Sequence, residues 1–362
     1  MIHVGVIGLG EVSQCMHLPI LQNLCNIYEV TAVSDISPSL VTYIQKKYHI
    51  LEAFPNAADL IECKNVDAVF ILSPDQYHGE YVAQALQAGK HVFVEKPVTL
   101  CLDELNELIE LKKQYPRQIV MVGYMRRYAG PYLKAKEILS ESPMKTEYLR
   151  FRDIILEAPF FIGQTHPVFY PQDIPIEMIQ ESRTRRREQI DRAIGANATD
   201  RMRTTYQMMT GLGCHSFAAV RELFGVPSKI HSVTTASEGQ QVVIVMEFKG
   251  GFLGTYELVN NQSIVQFDAA IEIFQNTRKV LIKYETPYVR YQPAYVQVTE
   301  SNNHDTHTTT YGPDFHDAFQ TELTLFAQCI KAGEQPKTSL EDAVADLKLF
   351  QEIIRVMAKQ MK

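Results

Sequence analysis

The sequence predicts an α/β protein whose first domain is a doubly wound parallel sheet, and three features near its start carry the prediction. An apolar run over residues 2–7 is followed at once by Gly8 and Gly10. Beyond Gly10, apolar residues recur at the spacing of one helix face. A second apolar run ends at Asp35. Strand, glycine turn, helix and a following acid in this order are the fingerprint of the Rossmann fold, which binds dinucleotides.

The glycine turn is expected to hold the pyrophosphate of the dinucleotide. Gly8 permits a tight turn, and Gly10 lets the backbone approach the phosphates. Glu11 and Val12 begin the helix whose N-terminus attracts that charge, so we place both among the cofactor-binding residues. Ser13 stands where the pattern has its third glycine, a small residue that still allows close packing of helix on strand.

The acid Asp35 indicates which nucleotide is bound. Its place after the second strand is that of the carboxylate that accepts hydrogen bonds from the ribose hydroxyls of NAD. The same charge repels a 2′-phosphate, and no arginine follows it directly. We therefore expect NAD rather than NADP as the cofactor.

The size and composition of the chain limit the classes of protein to which it can belong. The chain has 362 residues, 46% of them hydrophobic and 21% charged, which suits two globular domains. A net charge of −7 argues against a general nucleic-acid binder, and no apolar run is long enough to span a membrane. The six cysteines are scattered without a C-x-x-C pair, so we expect free thiols and a cytoplasmic location.

The pattern of strands changes after residue 123, which divides the chain into a dinucleotide-binding domain (1–123) and a substrate-binding and oligomerisation domain (124–362). In the first part, apolar runs alternate with helical stretches, as in a parallel sheet. We predict five strands there, at 2–7, 29–34, 67–72, 91–94 and 118–122.

The second part predicts an α+β domain with a large, mostly antiparallel sheet. A strand near 147–155 precedes an irregular and helical section over 157–224, and the chain ends in a helix from Ser339 to about Lys359. Short turns separate the later strands, predicted at 229–236, 241–248, 252–259, 267–275 and 278–284. Alternation over 242–248 is poor, which suggests cover on both faces. A wide sheet with an open face would favour a homodimer or homotetramer.

Four motifs resemble those of the Gfo/Idh/MocA oxidoreductases, and together they span nearly the whole chain. The most telling is Glu-Lys-Pro after a fourth apolar strand. The motifs are Ser73-Pro74-Asp75-Gln76-Tyr77-His78, Gly89 to Glu95-Lys96-Pro97, Gly123-Tyr124-Met125-Arg126-Arg127-Tyr128, and the segment from Glu322 to Pro336. The likeness is weakest between residues 157 and 210.

The resemblance implies that Lys96 is catalytic and also contacts the cofactor. A lysine at the carboxyl edge of a parallel sheet stands where cofactor and substrate meet. Its ammonium would stabilise the alkoxide that develops as hydride leaves the substrate carbon. The resemblance also places Ser73, Pro74, His78 and Glu95 near the cofactor, with a structural hydrogen bond as the alternative role for His78.

His215 is the second expected catalytic residue, as a general base that takes the hydroxyl proton. The family usually has an Asp four residues earlier, on the same helix face, and Gly211 occupies that position here. We therefore assign the family's histidine role to His215, and we assign the family's aspartate role to no residue of this chain. A structural role for His215 stays open, and we expect His17 to be structural.

Three other groups of residues, the histidines of 304–316, the arginines of 183–187 and the aromatic residues of 158–170, each have a functional and a structural interpretation. His304, His307 and His316 lie in a polar segment, predicted as a loop, without a matching set of ligands, so no metal site is expected. The arginines of 183–187 are flanked by acids and predict a solvated helix face, with an anionic-substrate contact left open. The aromatic stretch 158–170 is either a recognition loop or a packed one.

These observations predict an NAD-dependent oxidoreductase that transfers hydride between nicotinamide and a hydroxyl carbon of a sugar, polyol or sugar derivative. Two alternatives stay open. One is a glycoside-cleaving enzyme in which tightly bound NAD oxidises the sugar transiently, before elimination and reduction. The other is a sugar or NAD sensor without turnover.

Overall fold

The computed structural model describes residues 1–156, 159–261 and 266–360. By their contacts these residues form two compact units, each assembled from separated segments. The first unit contains Met1–Gly123, His166–Gly195 and Glu322–Leu347, and the second contains Tyr124–Thr165, Ala196–Thr321 and Lys348–Lys362. A single boundary after residue 123 stays a prediction about the domains.

The first unit is built on a six-stranded parallel sheet, which confirms the predicted Rossmann fold. Its strands are β1 (Ile2–Ile7), β2 (Tyr28–Ser34), β3 (Glu52–Phe54), β4 (Ala68–Ile71), β5 (His91–Glu95) and β6 (Val120–Gly123). They lie in the order β3-β2-β1-β4-β5-β6. The short edge strand β3 was not predicted, because its residues are exposed or half-buried and carry no apolar run.

The second unit contains an eight-stranded sheet. Its strands are β7 (Thr146–Leu156), β8 (Lys229–Ala236), β9 (Gln241–Glu247), β10 (Leu253–Asn261), β11 (Phe267–Gln275), β12 (Arg278–Tyr284), β13 (Ala294–Ser301) and β14 (Thr306–Asp314). The order is β14-β13-β12-β11-β7-β10-β9-β8. All neighbours are antiparallel except β7 and β10, so the prediction of a mostly antiparallel sheet is confirmed.

Two expectations for this sheet are wrong. The polar segment predicted as a loop forms β14, which pairs with β13 in a hairpin. Its threonines favour strand, and its side chains are mostly exposed at the sheet edge, so it carries no apolar alternation. In β9, Val242, Ile244 and Met246 are buried while Val243 is 43% exposed. This strand therefore has one covered face, not two.

Helices complete both units. They are α1 (Leu18–Asn23), α2 (Pro38–Tyr48), α3 (Ala57–Glu62), α4 (His78–Gln87), α5 (Leu102–Gln114), α6 (Gly130–Glu141), α7 (Pro159–Thr165), α8 (Ile176–Ile194), α9 (Asp200–Met208), α10 (Cys214–Phe224), α11 (Ala318–Ala332) and α12 (Leu340–Gln360). Turns of π-helix precede α1 at Ser13–His17 and α10 at Met209–Gly213. None of the helices in the described residues is long and apolar enough to cross a bilayer.

An aromatic cluster ties the end of the chain to the first sheet. The rings of Phe70 on β4 and Phe93 on β5 are stacked with centroids 5.1 Å apart. Phe326 on α11 meets both edge-on, at 5.9 and 5.8 Å. The Tyr28 hydroxyl donates to the Leu323 carbonyl at 2.6 Å. Parallel strands buried on both faces need such cover, and here residues more than 200 positions later in the chain supply it.

We expect Phe326→Ala to destabilise the first unit by about 3–5 kcal/mol, because the substitution leaves a cavity beside the stacked rings of Phe70 and Phe93. Phe326→Leu, which keeps most of the volume, should cost less. Urea unfolding followed by circular dichroism measures both. A loss below about 1 kcal/mol for the alanine variant would show that α11 contributes little to this core.

Candidate active site

The glycine turn after β1 has the shape that a bound pyrophosphate requires. Gly8 has a φ of +87°, and a Cβ atom there would lie 2.5 Å from the backbone nitrogen of Ser73. Only glycine fits both constraints. At Gly10 a Cβ atom would meet nothing within 4 Å. The backbone at Gly10 is therefore accessible at the position where the fingerprint places the phosphates. These residues fit a dinucleotide.

The carboxylate of Asp35 joins this turn to the one after β2. One of its oxygens accepts from the Leu9 amide at 2.8 Å and the other from the Ser37 amide at 2.9 Å. Burial raises the pKa of Asp35, the two backbone hydrogen bonds oppose the shift, and the negative charge of Asp173 adds to it. A carboxylate held from both sides presents its remaining lone pairs in a fixed direction.

Glu95, at the end of β5, fixes the start of the Glu-Lys-Pro turn. Its Oε1 lies 2.9 Å from Nε2 of His17, and its Oε2 accepts from the Lys96 backbone amide at 3.2 Å. Burial alone would raise the pKa of Glu95. The hydrogen bond and charge of His17 and the charge of Lys96 outweigh it, so the pKa lies below its usual value. His17 is fully buried, and its structural role stays a prediction.

His78 connects two of the predicted cofactor-binding segments. Its Nδ1 lies 2.8 Å from the Pro97 carbonyl and its Nε2 lies 2.7 Å from the Ser73 carbonyl. The ring is buried, and both of its nitrogens are engaged by backbone. Of the two roles expected for His78, this geometry matches the structural hydrogen bond.

The carboxyl ends of four neighbouring strands thus carry the residues predicted for the cofactor. Those at the ends of β1 and β2 are Gly8, Gly10, Glu11, Val12 and Asp35; those at the ends of β4 and β5 are Ser73, Pro74, His78, Glu95 and Lys96. Ligands of open α/β sheets bind outside this edge. The half-buried Lys96 follows directly, with a cis peptide bond to Pro97.

A later segment, His166–Gly195, lies along the same edge and was not predicted to do so. The Gln14 side chain accepts from the Phe169 amide at 2.9 Å and donates to its carbonyl at 3.0 Å. The Phe169 ring stacks on Tyr43 of α2 with centroids 4.9 Å apart. The Tyr170 hydroxyl donates to Glu11 at 3.1 Å. The described part of the aromatic stretch, from residue 159 onward, is packed at Phe169; Ala158 lies outside the described residues.

Helix α8 continues this segment along the turn that follows β4. Arg186 is paired with Asp75, and its Nε donates to the Asp75 carboxylate at 2.9 Å. Arg185 lies over the Tyr77 ring at 4.6 Å and bonds Glu80 at 2.7 Å. The arginines of the predicted solvated face are exposed or half-exposed, and Arg185 and Arg186 have acidic partners opposite them.

In the second unit, His215 is the second residue of α10 and directly follows the π-helical turn. Gly211 lies within that turn, and a Cβ atom there would meet nothing within 4 Å. His215 is buried. The neighbouring Ser216 accepts from Nη1 of Arg126 at 2.7 Å. The structure therefore leaves space at the family's aspartate position and fixes the start of α10 through Arg126.

Arg126 is the centre of a buried polar network. Its Nη1 donates to Asp153 at 2.5 Å, and the Tyr256 hydroxyl donates to the other Asp153 oxygen at 2.8 Å. The guanidinium lies 5.0 Å from the centre of the Tyr284 ring. A buried charge pair of this kind holds its members in one arrangement only while every partner is present.

A cleft within the second unit opens beside Arg126. Arg126, Arg290 and Asp317 are among the residues that line it. Three polar atoms in its walls have no hydrogen-bond partner among the described residues: the Tyr284 hydroxyl, the Thr286 hydroxyl and the Gln292 side-chain oxygen. Buried polar atoms without partners are rare, so the cleft suits a ligand that offers hydrogen bonds.

Comparison with known proteins identifies the family. Residues 2–124 match the model of an oxidoreductase family with an NAD-binding Rossmann fold, and residues 203–362 match the model of the same family's C-terminal alpha/beta domain. The chain belongs to the Gfo/Idh/MocA oxidoreductase family. The predicted enzyme class, a nucleotide-dependent oxidoreductase, is thereby confirmed. The stretch between the two matches contains the segment over the Rossmann edge, where the resemblance is weakest.

Relatives of this Gfo/Idh/MocA chain include inositol dehydrogenases. Myo-inositol 2-dehydrogenase of Thermotoga maritima is 25% identical over 344 residues, 94% of this chain and 91% of the relative. An inositol 2-dehydrogenase/D-chiro-inositol 3-dehydrogenase of Shouchella clausii is 34% identical over 141 residues, which is 39% of this chain and 40% of the relative.

Solved structures share the fold. Myo-inositol 2-dehydrogenase from Lactobacillus plantarum superposes with a TM-score of 0.73 at 21% identity, covering 99% of this chain and 98% of that one. A 3-ketoreductase from Actinomadura kijaniata, in complex with NADP and TDP-benzene, gives 0.74 at 18% identity, covering 98% and 97%.

The Glu95–His17 pair should make the stability of the first unit depend on pH. Because the folded pKa of Glu95 is depressed, its ionised form stabilises the fold above the unfolded pKa, and this contribution is lost as the pH falls through the folded value. We expect Glu95→Gln to cost about 1–3 kcal/mol near pH 7 and progressively less in acid. Urea unfolding at a series of pH values measures the difference, and a pH-independent cost would contradict it.

Proposed function

We propose that this chain is an NAD-dependent oxidoreductase that transfers hydride between nicotinamide and a hydroxyl carbon of a sugar, polyol or sugar derivative. The observation that supports it best is the position of Lys96. It follows β5 on the sheet edge that carries the open glycine turn, and the buried Glu95–His17 pair anchors its backbone.

Gly8, Gly10 and Asp35 are the residues that would hold the cofactor. NAD, when bound, supplies the acceptor and donor of the hydride. The backbone at Gly10 borders open space, where phosphate oxygens would lie, and the Asp35 carboxylate would accept hydrogen bonds from ribose hydroxyls. His78 holds the Ser73 and Pro97 segments of the same edge together.

We assign one proton-handling role to Lys96 in the first unit and another to His215 in the second. The Lys96 ammonium donates to the substrate oxygen and stabilises the negative charge that grows there as the C–H bond breaks. His215 takes the hydroxyl proton through an imidazole nitrogen. With glycine at 211, no side chain at that position orients the imidazole, and Lys96 would carry more of the proton transfer.

The cleft beside Arg126 supports a polyhydroxylated substrate. The Tyr284 and Thr286 hydroxyls and the Gln292 amide oxygen in its walls have no hydrogen-bond partner among the described residues, and Arg290, paired with Asp317, lies in the same lining. Sugars and polyols offer donors and acceptors at short, regular spacing, and such partners recover the cost of burying these groups. The inositol dehydrogenases among the relatives point to the same substrate class.

Lys96→Ala should lower kcat about 10²–10⁴-fold, because it removes the group that stabilises the developing alkoxide. Lys96→Arg keeps the charge and should recover part of the loss. The measurement is NADH formation with a panel of sugars and polyols, for variants whose NAD affinity matches that of the wild type. Unchanged turnover in Lys96→Ala would rule out the assignment.

One observation favours the second candidate, a glycoside-cleaving cycle with retained NAD. The segment His166–Gly195 contacts Gln14, in the helical turn that follows the glycine turn, and Tyr43 on α2, and so lies along the cofactor edge. Cover of this kind would slow nucleotide release. NAD that copurifies with the chain, together with glycoside cleavage without net NADH, would establish this candidate. Free exchange of NAD with accumulation of NADH would establish the dehydrogenase.

A homodimer or homotetramer and a cytoplasmic location stay predictions. On the second sheet, ion pairs link neighbouring strands. Arg152 pairs with Glu272 at 2.5 Å, and Arg150 pairs with Glu257 at 2.8 Å.

A further inference from the structure

The residues that follow Asp35 provide hydrogen-bond donors at the start of α2. Pro38 begins this helix, Ser37 caps it, and the Ser37 hydroxyl oxygen accepts from the Leu40 amide at 3.1 Å. The Ser39 amide belongs to the first turn, where backbone N–H groups have no partner within the helix. Hydroxyl and amide donors at a helix N-terminus are the groups that bind an anion.

A carboxylate from a distant part of the chain already occupies these donors. Asp173 accepts from the Ser37 hydroxyl at 2.5 Å through Oδ1 and from the Ser39 amide at 2.8 Å through Oδ2. The Ser37 backbone amide donates at the same time to Asp35. Ser37 therefore stands between two carboxylates, one on each side.

The position of Asp173 is fixed by its neighbours. Four residues earlier, Phe169 is bonded through both backbone groups to Gln14 and stacked on Tyr43. Three residues later α8 begins, and its Arg186 pairs with Asp75 in the turn after β4. The Asp173 carboxylate is exposed on one side but is held on the other by these anchors.

We propose that Asp173 is a specificity-determining residue that rejects the 2′-phosphate of NADP. The inference rests on the proposed function, in which Asp35 binds the ribose of NAD. A 2′-phosphate would extend the ribose towards the donors beside Asp35, and Asp173 both fills those donors and repels the charge. NAD has hydroxyls at that place and meets neither obstacle. Selectivity then comes from two acids more than 130 positions apart in the sequence.

The test measures the dissociation constants of NAD and NADP by calorimetry for the wild type and two variants. Asp173→Ala removes the charge and frees the donors, and we expect it to lower the ratio of the NADP to the NAD constant about tenfold. Asp173→Asn removes only the charge, since its amide oxygen still accepts from Ser37 or Ser39, and should lower the ratio less. NAD affinity should stay near that of the wild type in both.

Glu177→Gln is the matched control, because it removes one negative charge from the same segment at the start of α8. It should leave the ratio within about twofold. A ratio that does not move in Asp173→Ala, with NAD still bound, would overturn the inference and leave the proposed function intact. A wild type that prefers NADP would also overturn it. A wild type that binds neither nucleotide would overturn the proposed function itself.

Discussion

The Asp35 carboxylate is the constraint on which the cofactor edge depends, because it accepts backbone hydrogen bonds from two loops at once. Leu9 lies between the two glycines of the first turn, and Ser37 caps α2. Holding both loops to one side chain sets the distance between the places where phosphate and ribose would bind. Burial raises the pKa of Asp35, but the two amides stabilise its charged form. The acid therefore has an architectural role besides its expected contact with the ribose.

Distant segments complete this edge. The side chain of Gln14 pairs with the backbone of Phe169, and Phe326 packs against the rings of Phe70 and Phe93. The first unit is therefore incomplete at the end of β6. Two later segments of the chain, His166–Gly195 and Glu322–Leu347, complete it. Loop closure over such separations is costly in entropy, and the buried aromatic contacts offset that cost.

Whether a feature could be predicted from the sequence depends on how far apart along the chain its interacting residues lie. The first sheet was predicted because strand, turn and helix signals are local, and Gly8 and Asp35 mark their ends. Strands β3, β13 and β14 were not predicted: β3 and β14 lie at sheet edges and consist of exposed or half-buried residues, and in β13 only Val296 and Val298 are buried. The roles of Phe169 and Asp173 could not be predicted, because each depends on a partner more than 130 positions away. The cover of β9 was misjudged because Val243 and Val245 are apolar on the less covered face.

The most direct test of the account uses Gly10, where a side chain would enter open space in the protein and the expected position of the pyrophosphate. Gly10→Val should leave the free energy of unfolding within about 0.5 kcal/mol of the wild type. Calorimetry should show that it weakens NAD binding about 100-fold or more, a difference of about 2.7 kcal/mol. A stable variant that binds NAD as the wild type does would place the cofactor elsewhere and contradict the account.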